Sequence, residues 1–225
     1  MTYVKICGCR SVEEALAARD AGADFIGLVF AESRRRVSVD TARRIADALR
    51  RDGPAIGTDV DSSCGVASRL QRLLSTRRPL LVGVFEGQRA DEVESILERT
   101  GIDAVQLHGQ PLSSPWVRVP IIRAVEGEDA LNEMSEGADS SLLLLDGSRG
   151  RGKCGDWDSL AAAASKMPFI LAGGLTPENV AEAIRRIGPW AVDVSSGVET
   201  GGRKDARKMQ AFIAAAKEAI HDVSP

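Results

Sequence analysis

The residues that could do chemistry lie at the ends of short apolar runs. Cys7 closes Val4-Lys5-Ile6-Cys7 and precedes Gly8, which lets a ligand approach the backbone closely. A thiolate there could act as nucleophile or general base if its pKa were lowered; a small buried residue is the plainer reading. Asp146 directly follows the four leucines Leu142–Leu145, where an acid is costly to bury without a role or a partner. An apolar setting raises a carboxyl pKa, which suits a general acid; bonding the loop Gly147–Gly155 is the alternative. Gln106 and His108 stand two positions apart, so strand alternation puts them on one face, where His108 bonds either a substrate or a neighbouring carbonyl. Asp193, two residues before Ser195, reaches either sugar hydroxyls or a neighbouring strand by the same alternation. Arg34, Arg35 and Arg36 follow the second apolar run, and one of them could clamp a carboxylate bidentately; spacing does not say which. The basic, glycine-rich loop Gly147–Gly155 is either a lid over an anionic substrate or an ordinary surface loop.

Two glycine-bearing turns point to phosphate. Phe169-Ile170-Leu171 runs into Ala172-Gly173-Gly174-Leu175, and Ala191-Val192-Asp193-Val194 runs into Ser195-Ser196-Gly197. Adjacent parallel strands that each end in free backbone N–H groups form an anion cup. Thr176 can cap the helix that follows the first turn, and Pro177 suits its first position.

The elements that must position these groups alternate along the chain. Strands are expected near Tyr3–Ile6, Phe25–Phe30, Leu80–Phe85, Ala104–Leu107, Ile121–Ala124, Ser141–Leu145, Phe169–Ala172 and Ala191–Val194. Helical periodicity marks Val12–Ala21, Val39–Arg50, Ala90–Arg99, Trp157–Ser165, Pro177–Arg186 and Asp205–Ile220, with weaker segments at Ser113–Arg118 and Glu128–Met134. Eight strands alternating with helices predict a single-domain (β/α)8 barrel, whose phosphate cup follows strands seven and eight. An open doubly wound sheet is disfavoured, because no Gly-x-Gly-x-x-Gly follows the first strand. The segment Asp52–Arg78 is longer than an ordinary helix-to-strand connection. Val66, Leu70, Leu73 and Leu74 recur in it at helical spacing and predict an extra amphipathic helix on the face away from the site, structural or an oligomer contact.

Composition narrows the partners. The 225 residues are 44% hydrophobic and 27% charged, enough for a full core. A net charge of -3 gives no electrostatic reason to expect nucleic acid as partner, and no apolar run is long enough to span a bilayer. Met1 leads straight into a strand without a signal-like stretch. The cysteines Cys7, Cys9, Cys64 and Cys154 form no C-x-x-C pair, so a reduced, cytoplasmic protein without a metal site is expected. Oligomeric state is not legible.

Taken together, these residues resemble the phosphoribosylanthranilate isomerase family of tryptophan biosynthesis. The matches are Val4-Lys5-Ile6-Cys7-Gly8, Ala21–Asp24, Val82–Phe85, Val105–Gly109, Leu144–Asp146, Gly150–Trp157, Leu171–Val180 and Val192–Glu199. The resemblance implies a (β/α)8 barrel and an Amadori rearrangement of N-(5-phosphoribosyl)anthranilate without metal or cofactor. It also implies roles: Cys7 as general base at C2 of the sugar, and Asp146 as general acid at the ring oxygen. Arg35, in Ser33-x-Arg35-x-Val37-Ser38, falls on the carboxylate clamp. Gly173, Gly174, Ser195, Ser196 and Gly197 fall on the phosphate cup, and Asp193 falls near the sugar. The alternative is another phosphosugar isomerase or epimerase on this barrel, including one shared between tryptophan and histidine synthesis. A substrate phosphorylated at both ends would want a second glycine cup, and Phe85–Gln88 and Leu107–Gln110 hold no Gly-Gly pair.

Overall fold

A computed structural model describes residues 2–50, 64–109, 119–126, 142–146 and 167–221. The eight apolar runs form β1 (Tyr3–Cys7), β2 (Phe25–Val29), β3 (Leu80–Glu86), β4 (Ala104–His108), β5 (Ile121–Glu126), β6 (Leu142–Asp146), β7 (Phe169–Ala172) and β8 (Ala191–Val194). They pair in parallel in that order, and β8 returns to β1, giving a closed barrel and setting aside the open sheet. Strand alternation divides the side chains into two sets. Val4, Ile6, Ile26, Leu28 and Leu143 face outward into a core shared with Ala15, Ala18, Ile184, Phe212 and Ile213 of the surrounding helices. Tyr3, Phe25, Leu80, Ala104, Ile122, Leu142, Ile170 and Ala191 face inward and pack on one another.

The described helices are α1 (Val12–Ala21), α2 (Val39–Arg50), α3 (Val66–Thr76), α4 (Ala90–Thr100), α5 (Val180–Ile187) and α6 (Ala206–His221). None is long and apolar enough to cross a membrane. Helix α1 shows how the sequence sets its bounds: Ser11 accepts the Glu14 N–H at the start, and Gly22, at φ 94°, ends it in the left-handed conformation. The helix expected from Pro177 begins three residues later, at Val180. Asn179 is the reason: its Oδ1 accepts from Thr176 N at 2.8 Å and its Nδ2 donates to Gly174 O at 3.0 Å, bracing residues 176–179 as a turn.

The amphipathic helix expected within residues 52–78 is α3. Its Val66, Leu70 and Leu74 are buried in the same cluster as Tyr3, Phe25, Leu80 and Leu142, the first inward residues of their strands, so α3 covers the N-terminal end of the barrel. Arg78, at the end of this segment, pairs with Asp24 at 2.6 Å, and Arg77 pairs with Asp103, which pins the segment to the strand starts. The expectations at residues 52–63, 113–118, 128–134 and 157–165, and those for the loop 147–155 with Cys154, lie outside the described residues. After β8 a 3-10 turn (Ser196–Val198) leads into a two-stranded hairpin, β9 (Glu199–Thr200) and β10 (Arg203–Lys204). The strand and helix periods did not reveal this hairpin.

Candidate active site

The C-terminal ends of the strands surround a cavity of about 270 Å³, lined among others by Cys7, Arg35, His108, Asp146, Asp193 and Ser195. The six come from β1, the loop after β2, β4, β6, β8 and the loop after β8, so residues far apart in sequence meet only because the barrel closes. Cys7 and Asp146 end their strands on the inward face, and the thiol and the carboxyl line the same mouth. Gly27 of β2 stands beside Cys7 in register, and a Cβ built there would come within 2.8 Å of Cys7 Sγ. The thiol thus occupies space that any other residue at position 27 would fill.

Below the mouth lies a charged layer. Lys5, two residues before Cys7 on the same face of β1, is fully buried, and its Nζ pairs with Asp193 Oδ1 at 3.0 Å. The ammonium lies close enough for its charge to act on the Cys7 thiol. Burial pushes the Cys7 thiol above its ordinary pKa; Lys5 opposes that push, Asp193 adds to it, and Lys204 opposes it more weakly. Burial would lower the Lys5 pKa, but the neighbouring Asp193 and Cys7 more than offset this and hold the ammonium charged. Asp193, expected either at the sugar or bonded to a neighbouring strand, both borders the cavity and anchors Lys5 of the neighbouring β1.

The three arginines separate. Only Arg35 lines the cavity, its stem resting against Gly8, where φ is 82° and a Cβ would meet Arg35 Cδ at 2.5 Å. Arg36 pairs with Glu32 on the exposed rim at 3.1 Å. Arg34 reaches Glu199 from the solvent side at 3.2 Å. Glu199 also receives Arg35 Nε at 2.6 Å, Arg35 Nη2 at 3.0 Å and Lys204 Nζ at 2.9 Å. Burial works against this carboxylate, yet the bonds from Arg35 and Lys204 prevail and hold its pKa at about 2. Arg35 is therefore fixed along its Nε/Nη2 edge, which leaves Nη1 for a carboxylate in the mouth.

Gly173 and Gly174 end β7 at φ 90° and 67°, a conformation that turns the chain without a Cβ penalty. Gly197 abuts this turn so closely that a Cβ would lie 2.0 Å from Leu175 O. The two predicted phosphate turns are therefore in contact, with Ser196 opening the 3-10 turn between them. The Ser195 hydroxyl donates to Cys7 O at 3.1 Å, and Lys204 Nζ donates to Ser195 O at 3.0 Å, tying the cup to β1 and β10. His108 Nε2 lies 2.9 Å from Gln106 Nε2; accepting from that amide leaves the ring proton on Nδ1. Among the described residues no group of three or more His, Cys, Asp or Glu side chains could hold a metal ion.

The family model for N-(5'-phosphoribosyl)anthranilate (PRA) isomerase matches residues 44–215 of this chain. The chain belongs to the phosphoribosylanthranilate isomerase family. The isomerase of Roseiflexus sp. (strain RS-1) is 43% identical over 230 aligned residues, covering 97% of this chain and 99% of the relative. The solved phosphoribosylanthranilate isomerase of Thermotoga maritima is 32% identical with a TM-score of 0.73, covering 97% of this chain and 100% of that one. A further isomerase structure, in complex with reduced 1-(o-carboxyphenylamino)-1-deoxyribulose 5-phosphate, is 31% identical with a TM-score of 0.71 over the same shares.

Three charged residues of this family member escaped the sequence reading of the site. Lys5 had a signal, a lysine between Val4 and Ile6 at the same strand parity as Cys7. Glu199 and Lys204 had one too: Gly201-Gly202 between them is the two-residue turn of a tight hairpin, with φ 57° and 75°. What no pattern could supply is that the hairpin folds back over the loop after β2.

Proposed function

We propose that Cys7 and Asp146 are the base and the acid with which this chain rearranges N-(5-phosphoribosyl)anthranilate to 1-(2-carboxyphenylamino)-1-deoxyribulose 5-phosphate. The observation that carries the assignment is their presence on the wall of one cavity at the C-terminal mouth, with Arg35 on its rim. The paired turns at Gly173-Gly174 and Ser195-Ser196-Gly197 suit the phosphate, whose charge their N–H groups would meet. Arg35 suits the anthranilate carboxylate at the other end. The sugar then spans the mouth between thiol and carboxyl.

Asp146 begins protonated and gives its proton to the furanose ring oxygen. The C1–O bond breaks as the anilino nitrogen donates its electron pair, leaving a protonated Schiff base. The Cys7 thiolate then removes the proton from C2, and the C–H electron pair flows toward the Schiff-base nitrogen, forming an enolamine that tautomerises to the ketone. One group must start deprotonated and the other protonated, and the buried Lys5 ammonium opposes the rise that burial imposes on the Cys7 thiol. Free thiols at Cys7 and Cys9 fit a reducing compartment, and we assign the protein to the cytoplasm.

Loss of phosphoribosylanthranilate fluorescence tests the assignment, run beside the doubly phosphorylated histidine-pathway substrate. Cys7→Ala should abolish turnover while retaining affinity for a reduced product analogue. Unchanged turnover in that variant removes Cys7 from the reaction.

A further inference from the structure

A lysine with no exposed surface inside a barrel calls for an explanation. Leucine or isoleucine would fill the space, as Leu80, Ile122 and Leu142 do elsewhere on the inward face. A buried ion pair seldom adds net stability over an apolar pair of similar volume, because both charges must be stripped of water. Lys5 nevertheless lies there with its side chain 0% exposed, paired to Asp193 at 3.0 Å. Cys7 stands two residues further along the same inward face of β1.

A base that works as a thiolate needs a cation beside it in so dry a place. Among the described residues the charged groups facing Cys7 are few. Lys5 comes from its own strand, Asp193 from β8, Lys204 from β10 and Arg35 from the loop after β2, while Cys9 lies next along the chain. Glu32, Glu86, His108 and Asp146 share the cavity wall. Both other cations are bound to Glu199, whose carboxylate offsets their charge. Lys5 alone among the three is not bound to Glu199, and it shares the inward face of β1 with Cys7, two residues away.

We propose that Lys5, held in place by Asp193, is the positioning residue that stabilises the Cys7 thiolate and aims it at the substrate. The inference rests on Cys7 being the base. Asp193 fixes the ammonium from β8 at the seam where the first and last strands pair, and Cys7 follows Lys5 on the same face of β1, so the seam sets the three groups side by side. When the thiolate takes up a proton the sulfur becomes neutral, and Lys5 and Asp193 remain as a balanced pair. No charge is then left alone in the interior at either stage.

The test reads the thiol directly. Alkylation of Cys7 by iodoacetamide is followed by peptide mass spectrometry across pH, alongside kcat/KM, in the parent, in Lys5→Met and in Lys5→Arg. Lys5→Met/Asp193→Asn is added so that no unpaired carboxylate is left to unfold the barrel. Removing the ammonium should move the alkylation midpoint up by about one pH unit or more, and the alkaline limb of kcat/KM with it. At fixed pH below the midpoint that is about a tenfold loss of alkylation rate, and Lys5→Arg should recover part of it. An alkylation midpoint that stays put in both Met variants overturns the inference. A midpoint that moves while the kcat/KM limb does not overturns the general-base reading on which the inference stands.

Discussion

Alanine at position 27 isolates the placement of the thiol from its chemistry. Gly27 has ordinary strand dihedrals, so an added methyl brings no backbone strain of its own. Its Cβ would fall 2.8 Å from Cys7 Sγ, 3.1 Å from Cys7 Cα and 3.3 Å from Cys7 Cβ. Ordinary contact begins near 3.5 Å, so Sγ must retreat by about 0.7 Å, swinging about χ1 away from its present line. The crowding should cost about 1–3 kcal/mol of stability, partly offset by about 0.4–1 kcal/mol from the stiffer unfolded chain. The barrel therefore stays folded, and circular dichroism melting should show a Tm lowered by several degrees at most. Displacement of a reacting group by nearly an ångström is worth about a hundredfold in rate, or about 2.7 kcal/mol of barrier. Steady-state fluorescence should show kcat reduced to that extent with KM little changed, because the phosphate turns and Arg35 lie elsewhere. A folded Gly27→Ala protein with kcat within threefold of the parent would refute the claim that catalysis needs the sulfur where it stands.

Two further substitutions probe the ends of the substrate. Gly197→Ala drives a methyl into Leu175 O and must part the two phosphate turns; KM and the inhibition constant of inorganic phosphate should both rise by about tenfold or more, as when one charge-assisted hydrogen bond is lost, and unchanged values would move the phosphate elsewhere. Arg35→Ala should raise KM by about tenfold to a hundredfold for the same reason, with kcat less affected. An unaltered KM would transfer the carboxylate to Arg34 or Arg36.

The barrel was legible because its signal is repetition. Eight apolar runs interleaved with helical periods admit few other solutions, and the ends of β6 and β4 moved only by taking in Asp146 and His108. The candidate site was legible where a residue type is out of place for its neighbours, as with Asp146 after four leucines or Gly173-Gly174 after β7. It was not legible where the role depends on a partner from another element. Asp193 reads from its strand as a sugar ligand or as a bond to a neighbouring strand, and only the closure of β8 onto β1 names Lys5 as that partner. Three adjacent arginines look equivalent by spacing, and only the resemblance singles out Arg35. They are told apart by Glu199, 164 positions from Arg35, and by the hairpin that carries it across the rim.

Helix α3 makes the barrel a blind tube. With the strand starts roofed over by Val66, Leu70 and Leu74, the 9% of the Asp193 side chain that still meets solvent does so through the mouth, whose wall it forms. A sugar phosphate seated there acts as a stopper. Such a stopper would expel the last water with access to the Asp193 carboxylate, so the attraction between the ammonium and the thiolate would be strongest just before the C2 proton is transferred.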